Sequence, residues 1–253
     1  MAELFRSVGL PARPVSDRGG MRPARFAAVV VDELARQIIS GVVSENDVLP
    51  NEPTLCEQFG FSRTVIREGL KMLEERGLVR VEQGRGTTVQ PRDSWNLLDP
   101  VVLRIALEHD FDLSLLDDLI VVRTVLEREM ARAAAGRLTD EELASLAEML
   151  DEAEAAYGDY PRFRALDQAF HAIVMKASGN EVGLTIVRVI HQHGGVMPPL
   201  ASADSLTALK RTIKAHRGIL EALVARNGEL AGERIAAHIQ SAWAERKGRA
   251  ART

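Results

Sequence analysis

The chain has 253 residues, of which 46% are hydrophobic and only 4% aromatic, a composition that favours two mostly helical domains over a sheet sandwich. Its single cysteine, Cys56, excludes an intramolecular disulfide and a four-cysteine zinc site. No window is apolar for long enough to cross a membrane, so we expect a cytoplasmic protein without a membrane partner. Its net charge of −4 argues against a general nucleic-acid coat, so any DNA contact must come from a local basic patch.

The charge is divided unevenly along the chain. Residues 1–92 hold 13 Lys and Arg against 12 Asp and Glu, whereas residues 93–253 hold 19 against 24. The N-terminal part is therefore the place to look for a basic patch. Within it, residues 1–22 contain scattered Arg, Gly and Pro and no continuous apolar stretch, which predicts a loose tail rather than a signal peptide.

The residues after this tail show the outline of a helix-turn-helix. Apolar residues recur at helical spacing from Phe26 to Ile39 and predict a first helix. A short periodic piece at 53–59 and a second run around Ile66 and Leu70 lie on either side of a tight turn that contains Gly60. Two short helices joined in this way are typical of a DNA-binding helix-turn-helix.

Two β-rich runs follow and predict a hairpin, or wing. They are Leu78–Val81 and Thr87–Val89, and the Gly-rich segment Gln83–Gly86 forms the tip between them. We therefore expect residues 23–91 to form a winged helix-turn-helix and residues 92–100 to form a linker.

The remainder of the chain contains long amphipathic stretches and no strand-like alternation. The fold class predicted for the chain is therefore mainly α, with a C-terminal all-α helical bundle at 101–246 and a tail at 247–253. The helices of this bundle are expected at about 101–109, 114–136, 139–157, 162–178, 181–193, 205–226 and 229–246.

The second helix of the helix-turn-helix carries a cationic face. Arg63, Arg67 and Lys71 are spaced by four and lie away from the apolar stripe, and Thr64 adds a small hydroxyl near the N-terminus of the helix, where Ser62 is expected to cap it. Such a helix suits the major groove of DNA, where arginine can bond guanine O6 and N7. The alternative is that these cations only solvate an exposed helix face.

The tip of the wing offers a second contact. Gly84 has no side-chain bulk and Arg85 adds one charge, so the backbone and a guanidinium can approach the minor groove or its phosphates. Together with the helix, this tip predicts a double-stranded DNA partner.

The C-terminal half contains residue types that bind transition metals. Asp167 and His171 are four apart on one helix face, and His216 and His238 lie on two later helices. One carboxylate and three imidazoles suit Zn, Ni, Mn or Fe and leave coordination positions open for a ligand. Spacing alone does not show that the helices converge, so satisfied structural histidines are the alternative.

Several stretches of the N-terminal half resemble the GntR family of winged-helix regulators. They are Leu49–Glu52, Phe59–Glu68, Gly77–Val79 and Gly84–Thr87. The resemblance implies that Arg63, Thr64, Arg67 and Gly84 contact the operator. Where many members have an arginine in the preceding helix this chain has Pro53, so one contact is missing and the operator sequence is left open.

The C-terminal half resembles the helical effector (FCD) domain of the FadR-type subfamily. The resemblance rests on Arg123 with Glu127, on Asp167–His171 before Gly179-Asn180, on Ala215–Arg217 and on Ala237–Ile239. It implies a metal site formed by Asp167, His171, His216 and His238, and it implies that Arg123 binds the carboxylate of an effector. A surface pair with Glu127 is the alternative for Arg123. The linker Trp95–Pro100 is similar to that of sugar-acid-responsive members such as galactonate regulators.

From these observations we expect a homodimeric transcription regulator, a repressor in the first instance. Two half-sites give affinity and register, so the operator should be a short palindrome. A small carboxylate would bind at the metal and release DNA by favouring one arrangement of the helical domains. Two alternatives remain: a metal-dependent hydrolase or isomerase, which lacks a placed general base, and a DNA-binding dimer without an effector.

Overall fold

The computed structural model describes residues 23–82, 84–193 and 206–250. It divides into two compact units, Met1–His109 and Asp110–Thr253. The predicted tail at 1–22 lies outside the described residues. In the described part of the chain, no helix is both long and apolar enough to span a membrane.

The N-terminal unit contains the predicted helix-turn-helix and wing. Its elements are α1 (Pro23–Ile39), α2 (Glu52–Phe59), α3 (Arg63–Glu75), β1 (Val79–Glu82) and β2 (Gly86–Val89). The strands pair antiparallel, with Val79 opposite Val89 and Glu82 opposite Gly86. The Asn51 side chain caps α2 by accepting a hydrogen bond from Thr54 N, and Gly60 ends the helix in the left-handed conformation.

Helices α1 and α3 pack closely around one glycine. A Cβ built on Gly69 would lie 2.8 Å from Cγ1 of Val30, so no larger residue fits without a shift of either helix. Around this contact, Leu34, Ile66 and Leu73 are almost completely buried. The orientation of α3 in the unit is therefore fixed by packing on α1.

A further helix, α4 (Pro100–Glu108), belongs to this unit rather than to the C-terminal one. Val102 and Ile105 are part of the same core as α1 and α3. Arg104 also forms an ion pair with Asp32 of α1. The sequence expectation placed this helix in the effector domain, but its apolar face packs against α1, so the division between the units falls after it.

The C-terminal unit is an all-α bundle, as predicted. Its helices are α5 (Ser114–Ala134), α6 (Asp140–Ala155), α7 (Tyr160–Ala177), α8 (Glu181–His193), α9 (Leu206–Val224) and α10 (Gly228–Ala250). Local signals fix their starts: Thr139 and Glu142 form a capping box on α6, and Asp159 caps α7. Helix α10 continues to Ala250, so the predicted tail at 247–253 is wrong for its first residues, among which Lys247 pairs with Asp117.

The core of this unit lies between the helices that carry the candidate metal ligands. Phe170, Met130 and Leu146 are completely or almost completely buried. Helix α5 packs on α7, α8 and α10, and α9 packs on α6 and α10. This arrangement brings α5, α7, α9 and α10 around one interior region, in which the histidines lie.

Candidate functional site

The cationic face of α3 is exposed and its apolar stripe is buried. Arg63, Thr64, Arg67 and Lys71 are all exposed to solvent. The buried residues of the helix lie on the other side and are Val65, Ile66, Gly69, Leu70 and Leu73. A helix held by one face and presenting cations on the other can enter a DNA groove without unfolding any of its packing.

One cation of this face is held by a neighbouring carboxylate. Nε of Arg67 donates to both carboxylate oxygens of Glu52, each at 2.8 Å, and the pair lies on the surface. This contact uses only the Nε–H group of the guanidinium. The two terminal amino groups are left for a base or phosphate. Lys71 lies 3.7 Å from Glu75, a looser surface pair.

The expected cap of α3 differs from what the structure shows. Ser62 occupies the N-cap position, but its side chain makes no capping hydrogen bond. Only its backbone carbonyl takes part, by accepting a hydrogen bond from Ile66 N at 3.1 Å. The prediction of a side-chain cap was therefore wrong.

The tip of the wing is exposed and tightly turned. Gly84 has a φ of 80°, a left-handed conformation that favours glycine. The Arg85 side chain is 82% exposed and lies 3.9 Å from a carboxylate oxygen of Glu82. The tip therefore presents backbone and one guanidinium to a partner.

The four candidate metal ligands of the C-terminal unit converge. Asp167 and His171 lie on α7, His216 on α9 and His238 on α10, and one ligand atom from each lies within 4.8 Å of all the others. Nε2 of His216 lies 3.2 Å from Nε2 of His238 and 3.6 Å from Oδ1 of Asp167. Three helices thus contribute to one group of nitrogen and oxygen atoms in the bundle interior.

Glu127 links this cluster to Arg123. Its carboxylate is completely buried, and its Oε2 lies 2.6 Å from Nδ1 of His171. Its Oε1 accepts from Nε of Arg123 at 2.6 Å and lies 2.8 Å from Nε2 of His191. A buried carboxylate with three such partners fixes the orientation of each of them.

This contact also determines how His171 faces the cluster. An ionised carboxylate only accepts hydrogen bonds, so Nδ1 of His171 carries the proton shared with Glu127. Nε2 of His171 is then left with a lone pair, and this buried atom has no hydrogen-bond partner in the described structure. A metal ion is the kind of partner that such an atom accepts, and a carboxylate behind a ligating imidazole is the usual supporting arrangement.

The environment favours the protonation states that bind metal. Burial lowers the pKa of His216 well below its usual value, and the charge of Arg123 acts in the same direction. Burial likewise lowers the pKa of His238, together with the nearby His216 and His171. Burial would raise the pKa of Glu127, but Arg123 and His171 outweigh it and hold that pKa well below normal. Neutral imidazoles and charged carboxylates are the forms that coordinate metals.

A cavity of about 280 Å³ opens beside the cluster. Arg123, Asp167 and His238 line it, together with His191 and Gln168. Two members of the cluster, Asp167 and His238, therefore face the same space as the arginine that the sequence associated with a ligand carboxylate. A small molecule in this space can reach both a metal held by the cluster and the Arg123 side chain.

Two residues of this site were not assigned a role by sequence reasoning. Glu127 was considered as the i+4 partner of Arg123, and the structure contains that pair, but the same carboxylate also supports His171. For His191, sequence reasoning gave no functional role. Its spacing on α8 gives no signal; only the packing of α5 against α8 brings it to Glu127.

The fold and the two sites define the class of protein: a winged-helix DNA-binding unit together with a helical unit whose core can hold a metal ion. The family model described as "Bacterial regulatory proteins, gntR family" matches residues 26–89, and the FCD domain model matches residues 118–241. The chain belongs to the GntR family and is a DNA-binding transcription regulator. It is not the hydrolase or isomerase that the metal ligands alone had left open.

Several relatives carry names that describe their regulatory roles. The chain is 31% identical over 203 residues to the galactonate operon transcriptional repressor of Escherichia coli K12, covering 80% of this chain and 88% of that protein. It is 34% identical over 161 residues to the Glc operon transcriptional activator of the same organism, covering 61% of each protein. A solved structure titled for Lar, which controls the agr system of Listeria monocytogenes, shares the fold with a TM-score of 0.55 at 19% identity, covering 93% of this chain and 99% of that one.

Proposed function

We propose that the chain is a cytoplasmic repressor whose affinity for its operator is controlled by a small organic acid bound at a metal ion in the C-terminal unit. The observation that carries this proposal is the convergence of Asp167, His171, His216 and His238 on one point, beside a cavity that Asp167, His238 and Arg123 line. A four-ligand set beside an arginine is suited to hold a metal and a carboxylate together.

The proposed DNA contacts are the exposed cations of α3 and the tip of the wing. Arg63 and Arg67 would contact base edges or adjacent phosphates of the major groove, with Thr64 and Lys71 beside them. Gly84 and Arg85 would approach the minor groove. Arg67 is supported by Glu52, so its terminal amino groups are oriented before DNA arrives.

The proposed assembly is a homodimer on a short palindrome. One winged helix buries little DNA surface, and two give both affinity and register. On α5, the side chains of Val121 and Val125 are 62% and 59% exposed, with Asp118 before them and Arg128 after them on the same face. A two-fold axis near these valines would place Asp118 of one copy near Arg128 of the other, which suits a second copy of this chain.

The proposed metal is a divalent transition ion: Zn, Ni, Mn or Fe. A nitrogen-rich set with one carboxylate fits these ions better than Mg or Ca, which prefer oxygen ligands. When bound, the ion would supply a Lewis-acidic position for an effector oxygen. Glu127 would keep His171 in the ligating tautomer, and the neutral His216 and His238 would face the ion through Nε2.

The proposed effector is a small hydroxy acid, with aldonates first. A carboxylate oxygen would reach the guanidinium of Arg123 while a second oxygen reaches the metal. The Glu127 side chain connects Arg123 to His171, so ligand and metal would share one hydrogen-bond network. A relative named as a galactonate operon repressor supports the sugar-acid class.

A fluorescence-anisotropy titration tests this function. The DNA is an operator selected from random duplexes by the metal-loaded parent protein, and the added ligands are a panel of aldonates and dicarboxylates. We expect at least one acid to weaken DNA binding by about tenfold or more, and a chelator to remove the response. The variant His171→Ala should keep DNA binding and lose the response.

The competing function is a DNA-binding dimer with no effector. It predicts no stoichiometric metal in the purified protein and no response to any acid of the panel. Metal analysis by mass spectrometry, together with the titration, distinguishes the two functions, because the proposal requires both a bound metal and a ligand response.

A further inference from the structure

The cavity beside the histidine cluster contains more positive charge than one carboxylate needs. Besides Arg123, it is lined by Arg164, Arg211 and Arg246. Arg211 is paired with Glu245 at 2.8 Å, and Arg246 also has an interaction partner. In the part of the chain that the structure describes, the Arg164 side chain is half-buried and has neither a hydrogen bond nor an ion pair.

The position of Arg164 relates it to the cluster. It lies on α7 three residues before Asp167 and seven before His171, so all three side chains project toward one side of the helix. At a rise of 1.5 Å per residue, Arg164 lies about 4.5 Å along the helix axis from Asp167 and about 10 Å from His171. Gln168, one turn after Arg164, also lines the cavity.

The neighbouring arginine on the same helix behaves differently. Arg162 is exposed, does not line the cavity, and lies 3.4 Å from a carboxylate oxygen of Glu152. Among the described residues, the exposed Arg162 therefore has a carboxylate partner, and Arg164, which faces the cavity, has none. A half-buried guanidinium without an anion is unfavourable in the free protein and becomes favourable when a ligand supplies the anion.

We propose that Arg164 binds a second anionic group of the effector, so that the ligand is a dianion. One carboxylate would lie at the metal and Arg123, and a second carboxylate or a phosphate would lie one to two helical turns along α7. This inference rests on the proposed function and narrows its ligand class from simple hydroxy acids to aldarates and phosphorylated aldonates. The Gln168 amide would hydrogen-bond the hydroxyls between the two ends.

Isothermal titration of the metal-loaded full-length protein tests the inference with matched pairs of ligands. The pairs are galactonate with galactarate and gluconate with glucarate, and 6-phosphogluconate represents the phosphate form. We expect the dianion of at least one pair, or the phosphorylated acid, to bind at least tenfold more tightly than its monoanion. Which dianion gains shows whether the second group is a carboxylate or a phosphate.

Two variants assign that gain to a residue. Arg164→Met should reduce binding of the preferred dianion to the level of its monoanion and leave monoanion binding within about twofold. The matched control Arg162→Met, on the same helix, should keep the full preference. Thermal melting of both variants without ligand checks that they are folded.

The outcomes separate this inference from the function on which it rests. Equal binding of monoanions and dianions by the parent, or a preference that survives in Arg164→Met, overturns the second anionic site and leaves the proposed function standing. If no acid of any pair binds the metal-loaded protein, both the effector proposal and this inference are overturned.

Discussion

At the scale of single residues, Glu127 has the most consequential position in the C-terminal unit. Its buried carboxylate contacts Arg123, His171 and His191 at once. Glu127→Gln removes the charge and keeps the shape, so Nδ1 of His171 loses its anionic acceptor. We expect the affinity for the divalent metal to fall about 10- to 100-fold, as is usual when a ligating histidine loses its support, measured by competition with a chromophoric chelator.

Glu129→Gln is the matched control for this change. Glu129 lies on the same helix, is exposed and pairs with Arg132 on the surface, so its loss should leave metal affinity unchanged. A folded Glu127→Gln protein with the metal affinity of the parent would show that His171 needs no support from this carboxylate.

Individual residues also show how far the sequence could lead. The four residues Asp167, His171, His216 and His238 were identified from residue types and a resemblance, and their convergence depends on the packing of three helices, which spacing does not encode. The role of Glu127 was missed because a Glu four residues after an Arg on a helix is already explained by an ion pair between the two. Its second partner is 44 positions away in the sequence.

At the scale of elements, the contact between α1 and α3 determines how α3, the proposed DNA-reading helix, is presented. Gly69→Ala would place a methyl group 2.8 Å from Cγ1 of Val30, a stiff and completely buried side chain. Overpacking typically costs about 1–3 kcal/mol and exceeds the helix-propensity gain of about 1 kcal/mol. We therefore expect a net loss of about 1 kcal/mol in the free energy of unfolding of the N-terminal unit.

This loss can be measured in one unit because each unit has one of the two tryptophans. Trp95 packs against the N-terminal core and Trp243 against the C-terminal one. Urea unfolding followed by Trp95 fluorescence in a Trp243→Phe background reports the N-terminal unit. The control Gly218→Ala in α9 meets only ordinary contacts and should not change this transition. Unchanged or greater stability of Gly69→Ala would contradict the close packing.

The elements themselves were largely predictable. Helical periodicity located α5 to α9 because an amphipathic helix repeats its apolar residues every three to four positions. The sequence did not show that α4 belongs to the N-terminal unit. Its apolar residues Val102 and Ile105 fit any core, and only the ion pair of Arg104 with Asp32 and the packing on α1 decide between the two units.

At the scale of the whole molecule, metal binding and folding of the C-terminal unit should be coupled. A metal that binds only the folded protein stabilises it by mass action, by about 2.7 kcal/mol at 100 times its Kd. We expect a divalent metal to raise the melting temperature reported by Trp243 in a Trp95→Phe background, and a chelator to reverse it. His238→Gln should remove the shift, whereas His109→Gln, outside the cluster, should keep it. A metal-induced shift of the same size in His238→Gln would contradict the assigned ligand set.

The central claim is that two arginines of α3 read the operator. The most direct test is fluorescence anisotropy with an operator selected by the parent protein and a scrambled duplex, comparing the parent, Arg63→Gln/Arg67→Gln and the control Arg132→Gln/Arg162→Gln. Removing one arginine–base interaction should cost about 1–3 kcal/mol of binding free energy. Arg63→Gln/Arg67→Gln should therefore bind the operator about 100-fold more weakly than the parent does, and no better than it binds the scrambled duplex. The control variant should behave as the parent. If the variant without the two α3 cations binds its operator as tightly and selectively as the parent, Arg63 and Arg67 do not read the operator.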